Sequence, residues 1–235
     1  MSTYGVVIPA FQAAETLGEL IRRCGVYLYR EVSGIVVVDD GSTDKTGEVA
    51  RASGAHVIAH PVNRGKGAAL LTGFAEATAR RWDAAITLDA DGQHDPRSIP
   101  GFIAEHQRTG ADIIVGTRAR SGSRMPLPRR VSNRLSSAVV SWLAGVRIED
   151  SQSGYRLIAR RVWESIPLCG QRYDLESELL IKAGRRGYRI VPFPIETLYG
   201  DETSFFHPLR DTARMIRLFW RLFLHDTEHP DDPAR

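Results

Sequence analysis

Short apolar runs alternate with longer stretches of helical spacing through the first half of this chain. The runs Val6–Pro9, Gly34–Val38, Ala55–Ala59, Ala84–Leu88 and Asp112–Val115 have the length of strands and end at glycine, proline or polar residues. Between them, Ala14–Tyr29, Asp44–Ala52, Lys66–Ala79 and Pro96–Arg108 repeat apolar positions every three or four residues, the period of a helix with one buried face. This alternation predicts an α/β fold: a mostly parallel, Rossmann-like sheet with helices on both faces. Ligands of such sheets bind beyond the carboxyl ends of the strands. Those ends read Pro9-Ala-Phe-Gln12, Asp39-Asp-Gly-Ser-Thr-Asp44 and Asp89-Ala-Asp91, so acidic and polar groups are expected on one rim. Farther on, helical spacing returns over Arg129–Leu143, and Glu176 and Glu178 fall on a helix with two-residue spacing that keeps them off one face.

The stretch Ile86–Pro96 is the richest in chemistry. An extended chain puts side chains two apart on one face, so Asp89, Asp91 and Gln93 point the same way. Three such oxygen donors at a strand end suit a hard divalent cation. Turn chemistry explains the same residues without a metal, with Asp91-Gly92 a tight turn and Asp95-Pro96 the cap and first residue of a helix. Asp39 and Asp40 read two ways as well, as acceptors from a nucleobase or ribose, or as part of a strand-to-helix turn capped by Asp44. Asn63-Arg-Gly-Lys-Gly67 is either an anion-binding helix start or a plain turn. A dinucleotide fold wants G-x-G-x-x-G where this chain has Pro9-Ala-Phe11, and a P-loop wants Ser or Thr where Gly67 follows Gly65-Lys66. Both are excluded.

Composition is that of an ordinary globular protein, 43% hydrophobic and 25% charged. The net charge of +3 is mild and, without interleaved aromatics in its basic stretch, argues against a nucleic-acid partner. Cys24 and Cys169 are too few for a disulfide framework, so a reducing, cytoplasmic setting is expected. The chain enters its first apolar run with no signal-peptide pattern before it, and no run of about 18 apolar residues predicts a bilayer span.

Taken in order, Val6-Val-Ile-Pro-Ala-Phe-Gln12, Val37-Val-Asp-Asp-Gly-Ser-Thr-Asp44, Asn63-Arg-Gly-Lys-Gly67 and Asp89-Ala-Asp-Gly-Gln-His-Asp-Pro96 resemble the family 2 inverting glycosyltransferases of GT-A fold. The similarity is greatest to the dolichol- and polyprenyl-phosphate sugar transferases. It runs on through Asp150-Ser-Gln-Ser-Gly-Tyr-Arg156 and Tyr173-Asp-Leu-Glu-Ser-Glu178 to Gly187-Tyr-Arg-Ile190, covering roughly residues 4–200.

The resemblance implies a nucleotide site of Pro9, Glu15, Asp39, Asp40, Lys66, Asp89 and Ala90. It also implies Mg²⁺ or Mn²⁺ on Asp89, Asp91 and Gln93, with Asp89, Asp91 and Asp150 as the catalytic set. Phe11-Gln12 departs from the Tyr-Asn common in the family. Domain bounds follow: a catalytic domain over 1–205, with a nucleotide-sugar half to 117 and an acceptor half from 118.

From Arg118 to Arg134 there are six arginines and no acid, a composition suited to gripping phosphate. Arg118 and Arg130 match the family's acceptor-phosphate positions, and Arg134 is a further candidate. Asp150 stands where hydroxyl-acceptor relatives carry a base. A lipid phosphate is already an anion and needs no base, so Asp150 is expected to position more than to deprotonate.

The expected activity is transfer of a sugar from a nucleotide-diphosphate sugar to a polyprenyl phosphate or other lipid acceptor. Rivals are a hydroxyl-acceptor enzyme with Asp150 as base, and a non-catalytic nucleotide-sugar-binding subunit. Asp201 and Glu202 lie in a loop, Tyr199–His207, suited to closing over the donor. Residues 206–226 read as a basic amphipathic helix that lies on the cytoplasmic membrane face or packs on its own domain, and 227–235 as a polar tail.

Overall fold

In a computed structural model of the chain, residues 2–28, 32–118, 127–168 and 174–196 are described, with side chains omitted at 127–132 and 174. All of them fall within one unit, Met1–Gly200. The expected lid at 199–207, helix at 206–226 and tail lie outside the described residues.

Seven strands form one sheet: β1 (Tyr4–Ala10), β2 (Ile35–Asp39), β3 (His56–Ala59), β4 (Ala84–Thr87), β5 (Ile113–Arg118), β6 (Arg156–Ala159) and β7 (Ile190–Ile195). Their order is β3-β2-β1-β4-β6-β5-β7. Every pair is parallel except those of β6, which runs against both β4 and β5. The amino end of β6 therefore opens on the rim where β4 and β5 finish.

The helices are α1 (Ala14–Gly25), α2 (Thr46–Ala52), α3 (Lys66–Ala79), α4 (Ile99–Thr109), α5 (Leu127–Ala144), α6 (Arg160–Ser165) and α7 (Asp174–Arg185). Alternation along β1 assigns them to faces. Tyr4, Val6 and Ile8 join a buried core with Leu17, Leu20 and Ile21 of α1 and Ile99, Phe102 and Ile103 of α4. Val7 faces the other way, onto α3, where Gly73 leaves its side chain room: a Cβ there would stand 2.3 Å from Val7 Cγ1.

Several boundaries move for local reasons. The α2 helix starts at Thr46, because the Asp44 carboxylate accepts from the Thr46 N–H (3.0 Å) and holds the preceding turn outside the helix. Asp95 caps as its Asp-Pro signature predicts, accepting from Arg97 N–H at 3.0 Å, but it opens a 3₁₀ turn, Pro96–Ser98, from which α4 continues.

Candidate active site

Two loops of the rim are zipped together, with the Gln12 side chain making three of the hydrogen bonds across the seam. Gln12, in left-handed backbone at φ 52°, accepts from the N–H groups of Thr43 (3.0 Å) and Asp44 (3.2 Å) and donates to Thr43 Oγ1 (2.9 Å). The residue that departs from the family pattern thus has a structural task, tying the end of β1 to the turn after β2. Asp39 accepts from Ser42 N–H at 3.1 Å and stands against Gly47, where a Cβ would approach its Oδ2 to 2.7 Å. Asp40 turns inward. Its oxygens take His60 Nδ1 at 2.7 Å and the N–H groups of Arg64 (3.0 Å) and Gly65 (2.6 Å). In this conformation Asp40 shapes the Asn63–Gly65 turn that launches α3. Glu15 is exposed in the first turn of α1, where neighbouring Thr16 donates to the Ala90 carbonyl at 2.6 Å.

The acidic rim follows β4. Lys66, the first residue of α3, reaches Asp89 Oδ1 at 2.5 Å and Glu176 Oε2 at 2.9 Å. Burial works against the Lys66 ammonium, yet the two carboxylates outweigh it and hold its pKa above the ordinary lysine value. Burial likewise opposes ionisation of Asp89, and Lys66 with His94 and Arg156 together outweigh it, leaving a pKa of about 2. Asp91 is pushed the other way, first by burial and then by the negative charge of Asp89. His94 accepts the Asp89 N–H on Nδ1 at 3.2 Å and, being buried, titrates below the usual histidine range. Of the two glutamates on α7, Glu176 reaches the rim, while Glu178 is buried and pairs with Lys182 at 2.6 Å.

The segment Asp150–Arg156 joins the rim's parts, nearly every residue with a separate job. Asp150 is held at two points by Arg118, Nε to Oδ2 at 2.7 Å and Nη2 to Oδ1 at 2.8 Å. Ser151 donates its N–H to Ser137 of α5 at 3.0 Å. Gly154 lies so close to Asp89 that a Cβ would meet Oδ2 at 2.5 Å, and its carbonyl accepts from Thr87 at 2.8 Å. Tyr155, fully buried, donates to the Asp95 carbonyl at 3.2 Å and packs on His94 with ring centroids 5.1 Å apart. Arg156, also buried, donates to the carbonyls of Ser151, Ser153 and Glu176, each at 2.8 Å. A buried guanidinium thereby pins both the 150–154 loop and the start of α7 beneath Lys66. Ser153 Oγ is buried without a hydrogen-bond partner among the described residues.

The structure brings Lys66, Asp89 and Asp91 together on one rim, with Gln93 giving its N–H to Asp91 at 2.9 Å. Arg118, at the end of β5, and Asp150, in the loop before β6, form their pair at the same end of the sheet. Arg134 is exposed on α5, and the Arg130 side chain lies outside the described residues. Among the described residues no three His, Cys, Asp or Glu side chains form a metal cluster. The donor set is two carboxylates whose mutual repulsion is already expressed in the Asp91 shift, with Gln93 beside them. Such a set fits a hard cation that takes its other ligands from water and phosphate.

The family model described as glycosyl transferase family 2 matches residues 5–168. The chain belongs to that family. It is 30% identical to a UDP-N-acetylglucosamine–dolichyl-phosphate N-acetylglucosaminyltransferase of Methanococcus voltae, over 93% of this chain and 94% of that one. It is 32% identical to a polyprenol monophosphomannose synthase of Mycolicibacterium smegmatis, over 81% of this chain and 75% of the relative. Among solved structures, glucosyl-3-phosphoglycerate synthase of Mycobacterium tuberculosis, in complex with Mn²⁺, UDP and phosphoglyceric acid, superposes with a TM-score of 0.74. It is 25% identical, over 98% of this chain and 80% of that one. This family 2 glycosyltransferase therefore has the α/β GT-A fold that its motif order implies.

Proposed function

We propose that this family 2 glycosyltransferase is a metal-dependent, inverting enzyme that moves a sugar from a nucleotide-diphosphate sugar to a polyprenyl phosphate. The observation that carries the choice of acceptor is the two-point grip of Arg118 on Asp150. A carboxylate with both oxygens engaged by a guanidinium is poorly available as a general base, which a hydroxyl acceptor would require. An anionic acceptor needs no base and can share the guanidinium instead. The dolichyl and polyprenol phosphates in the relatives' names support the same class.

On this reading the diphosphate of the donor meets the Lys66 ammonium at the positive end of the α3 dipole. Asp89 and Asp91, with Gln93, hold Mn²⁺ or Mg²⁺, which when bound offsets the negative charge of the departing diphosphate. Arg118, with Arg130 and Arg134 from the same basic stretch, orients the acceptor phosphate. One of that phosphate's oxygens forms the new bond to the anomeric carbon. The bond from that carbon to the donor's β-phosphate oxygen breaks on the opposite side, and its electron pair leaves with the diphosphate. No proton has to be moved. Asp150 sets the angle of Arg118. The reaction takes place at the cytoplasmic face of the membrane that holds the acceptor.

The test is transfer of labelled sugar from UDP and GDP donors, with Mn²⁺, to a polyprenyl phosphate, to phosphoglyceric acid and to simple hydroxyl acceptors. Transfer confined to the prenyl phosphate and abolished by EDTA or by Asp91→Ala is the expected result. Transfer to a hydroxyl acceptor that collapses in Asp150→Asn would replace this reading with the general-base one.

A further inference from the structure

The helix α5 is fixed on one side and bare on the other. Ser137 and Ser141 bind it to Ser151 and Ile148, and Val140, Leu143 and Ala144 are buried beneath it. On the outward side Leu135, Ala138, Val139 and Trp142 follow one another at helical spacing. Leu135 is 66% exposed and Trp142 73%, a large apolar area turned to solvent. The helix sequence contains Arg129, Arg130 and Arg134 and no acidic residue, and Arg134 is exposed beside the stripe.

We propose that this face of α5 docks on an anionic lipid surface. The proposal rests on the reading of the acceptor as a lipid phosphate, whose prenyl tail stays in the bilayer while its head reaches the rim. Position supports it, since α5 holds the Asp150 loop through Ser137 and contains the end of the basic stretch that begins at Arg118. Chemistry supports it too. An indole and a leucine flanked by arginine suit the boundary between headgroups and acyl chains. A second copy is a poorer occupant, because a twofold contact of this stripe with itself would bring arginine against arginine with no acid on the helix to offset them.

The experiment compares the full chain with Leu135→Ser/Trp142→Ser in co-sedimentation with phosphatidylglycerol-containing vesicles and with pure phosphatidylcholine vesicles. Both side chains are exposed, so the fold is expected to survive, as far-UV circular dichroism would verify. Leu135→Phe/Trp142→Phe serves as the conservative variant. Expected are preference for the anionic vesicles, at least about tenfold weaker binding by the serine variant, and retention by the phenylalanine variant. Transfer to a short, water-soluble prenyl phosphate should be unchanged.

Equal vesicle binding by wild type and serine variant would overturn the docking face while leaving the lipid-phosphate reading intact. A wild type that ignores vesicles but self-associates, with the serine variant monomeric, would assign the stripe to a second copy and also overturn it. Stripe-dependent vesicle binding with no transfer to any prenyl phosphate would support the docking face and remove the acceptor reading.

Discussion

Replacing Lys66 by methionine keeps most of the side chain's volume and deletes the ammonium that stands 2.5 Å from Asp89 and 2.9 Å from Glu176. At 2.5 Å and an effective dielectric constant near 20, the gross attraction to one carboxylate is about 7 kcal/mol, most of it cancelled by desolvation. The Asp89 pKa, lowered from 3.8 to about 2 by Lys66 together with His94 and Arg156 against burial, corresponds to about 2 kcal/mol for that whole set, of which Lys66 is the largest favourable part. Asp89 is depressed in the folded state, so this contribution is complete above pH 3.8 and disappears as the pH falls toward 2.

In Lys66→Met the carboxylates of Asp89 and Glu176 lose their shared cation, and the burial that opposes ionisation of Asp89 is no longer offset by it. The expected loss is about 3 kcal/mol at pH 7, or roughly 10 °C in Tm, shrinking once the pH drops below about 4. Urea unfolding of both proteins across that range measures it. A gap that stays constant from neutral to acidic pH, or no gap at all, would refute the account of Lys66 as the counter-ion of this rim.

Other expectations follow from single contacts. Gly154→Ala should lower transfer by about a hundredfold or more with a small change in stability, because its new methyl displaces the Asp89 carboxylate by an ångström or so; steady-state kinetics beside thermal unfolding separates the two effects. Asp150→Asn should cost about tenfold or less with a prenyl phosphate acceptor, through looser positioning of Arg118, against the hundredfold or more that loss of a general base brings. Ser153→Ala removes a buried hydroxyl that has no partner among the described residues, so it should leave stability unchanged or raise it by up to about 1 kcal/mol in urea titration.

How much of this was legible in sequence depended on how far apart the interacting residues lie. Of the five apolar runs, those of β1, β2, β4 and most of β5 were readable because both faces of the strand are buried, whereas β3 is half-exposed and was readable only as a short apolar run bounded by glycine and proline. The last two strands were hidden for opposite reasons. The β6 strand is four residues long and begins with Arg156, whose buried guanidinium looks like a loop charge until its three carbonyl partners are seen. The β7 strand contains Pro192 and Pro194, which argue against a strand interior, and they are tolerated because β7 is an edge strand with one side unpaired among the described residues.

The same distinction governs the site. The Asp89-Ala-Asp91 pattern put both carboxylates on the rim, as local spacing can. Whether Asp40 faces a ligand or its own loop depended on His60 and on two N–H groups beyond it. For Glu176 the helical spacing said only that it and Glu178 face different ways, and folding decides which of them meets Lys66.

The reversed direction of β6 has an evolutionary corollary. The polypeptide leaves the rim after β5 and comes back to it before β6, so everything between Arg118 and Asp150 forms a detour whose two ends are already clamped to each other. A detour of that kind can be lengthened, shortened or rewritten by mutation without disturbing β1 to β4 and the acidic rim at their ends. One inherited chassis could in this way come to serve customers as unlike as a long isoprenoid and a three-carbon acid.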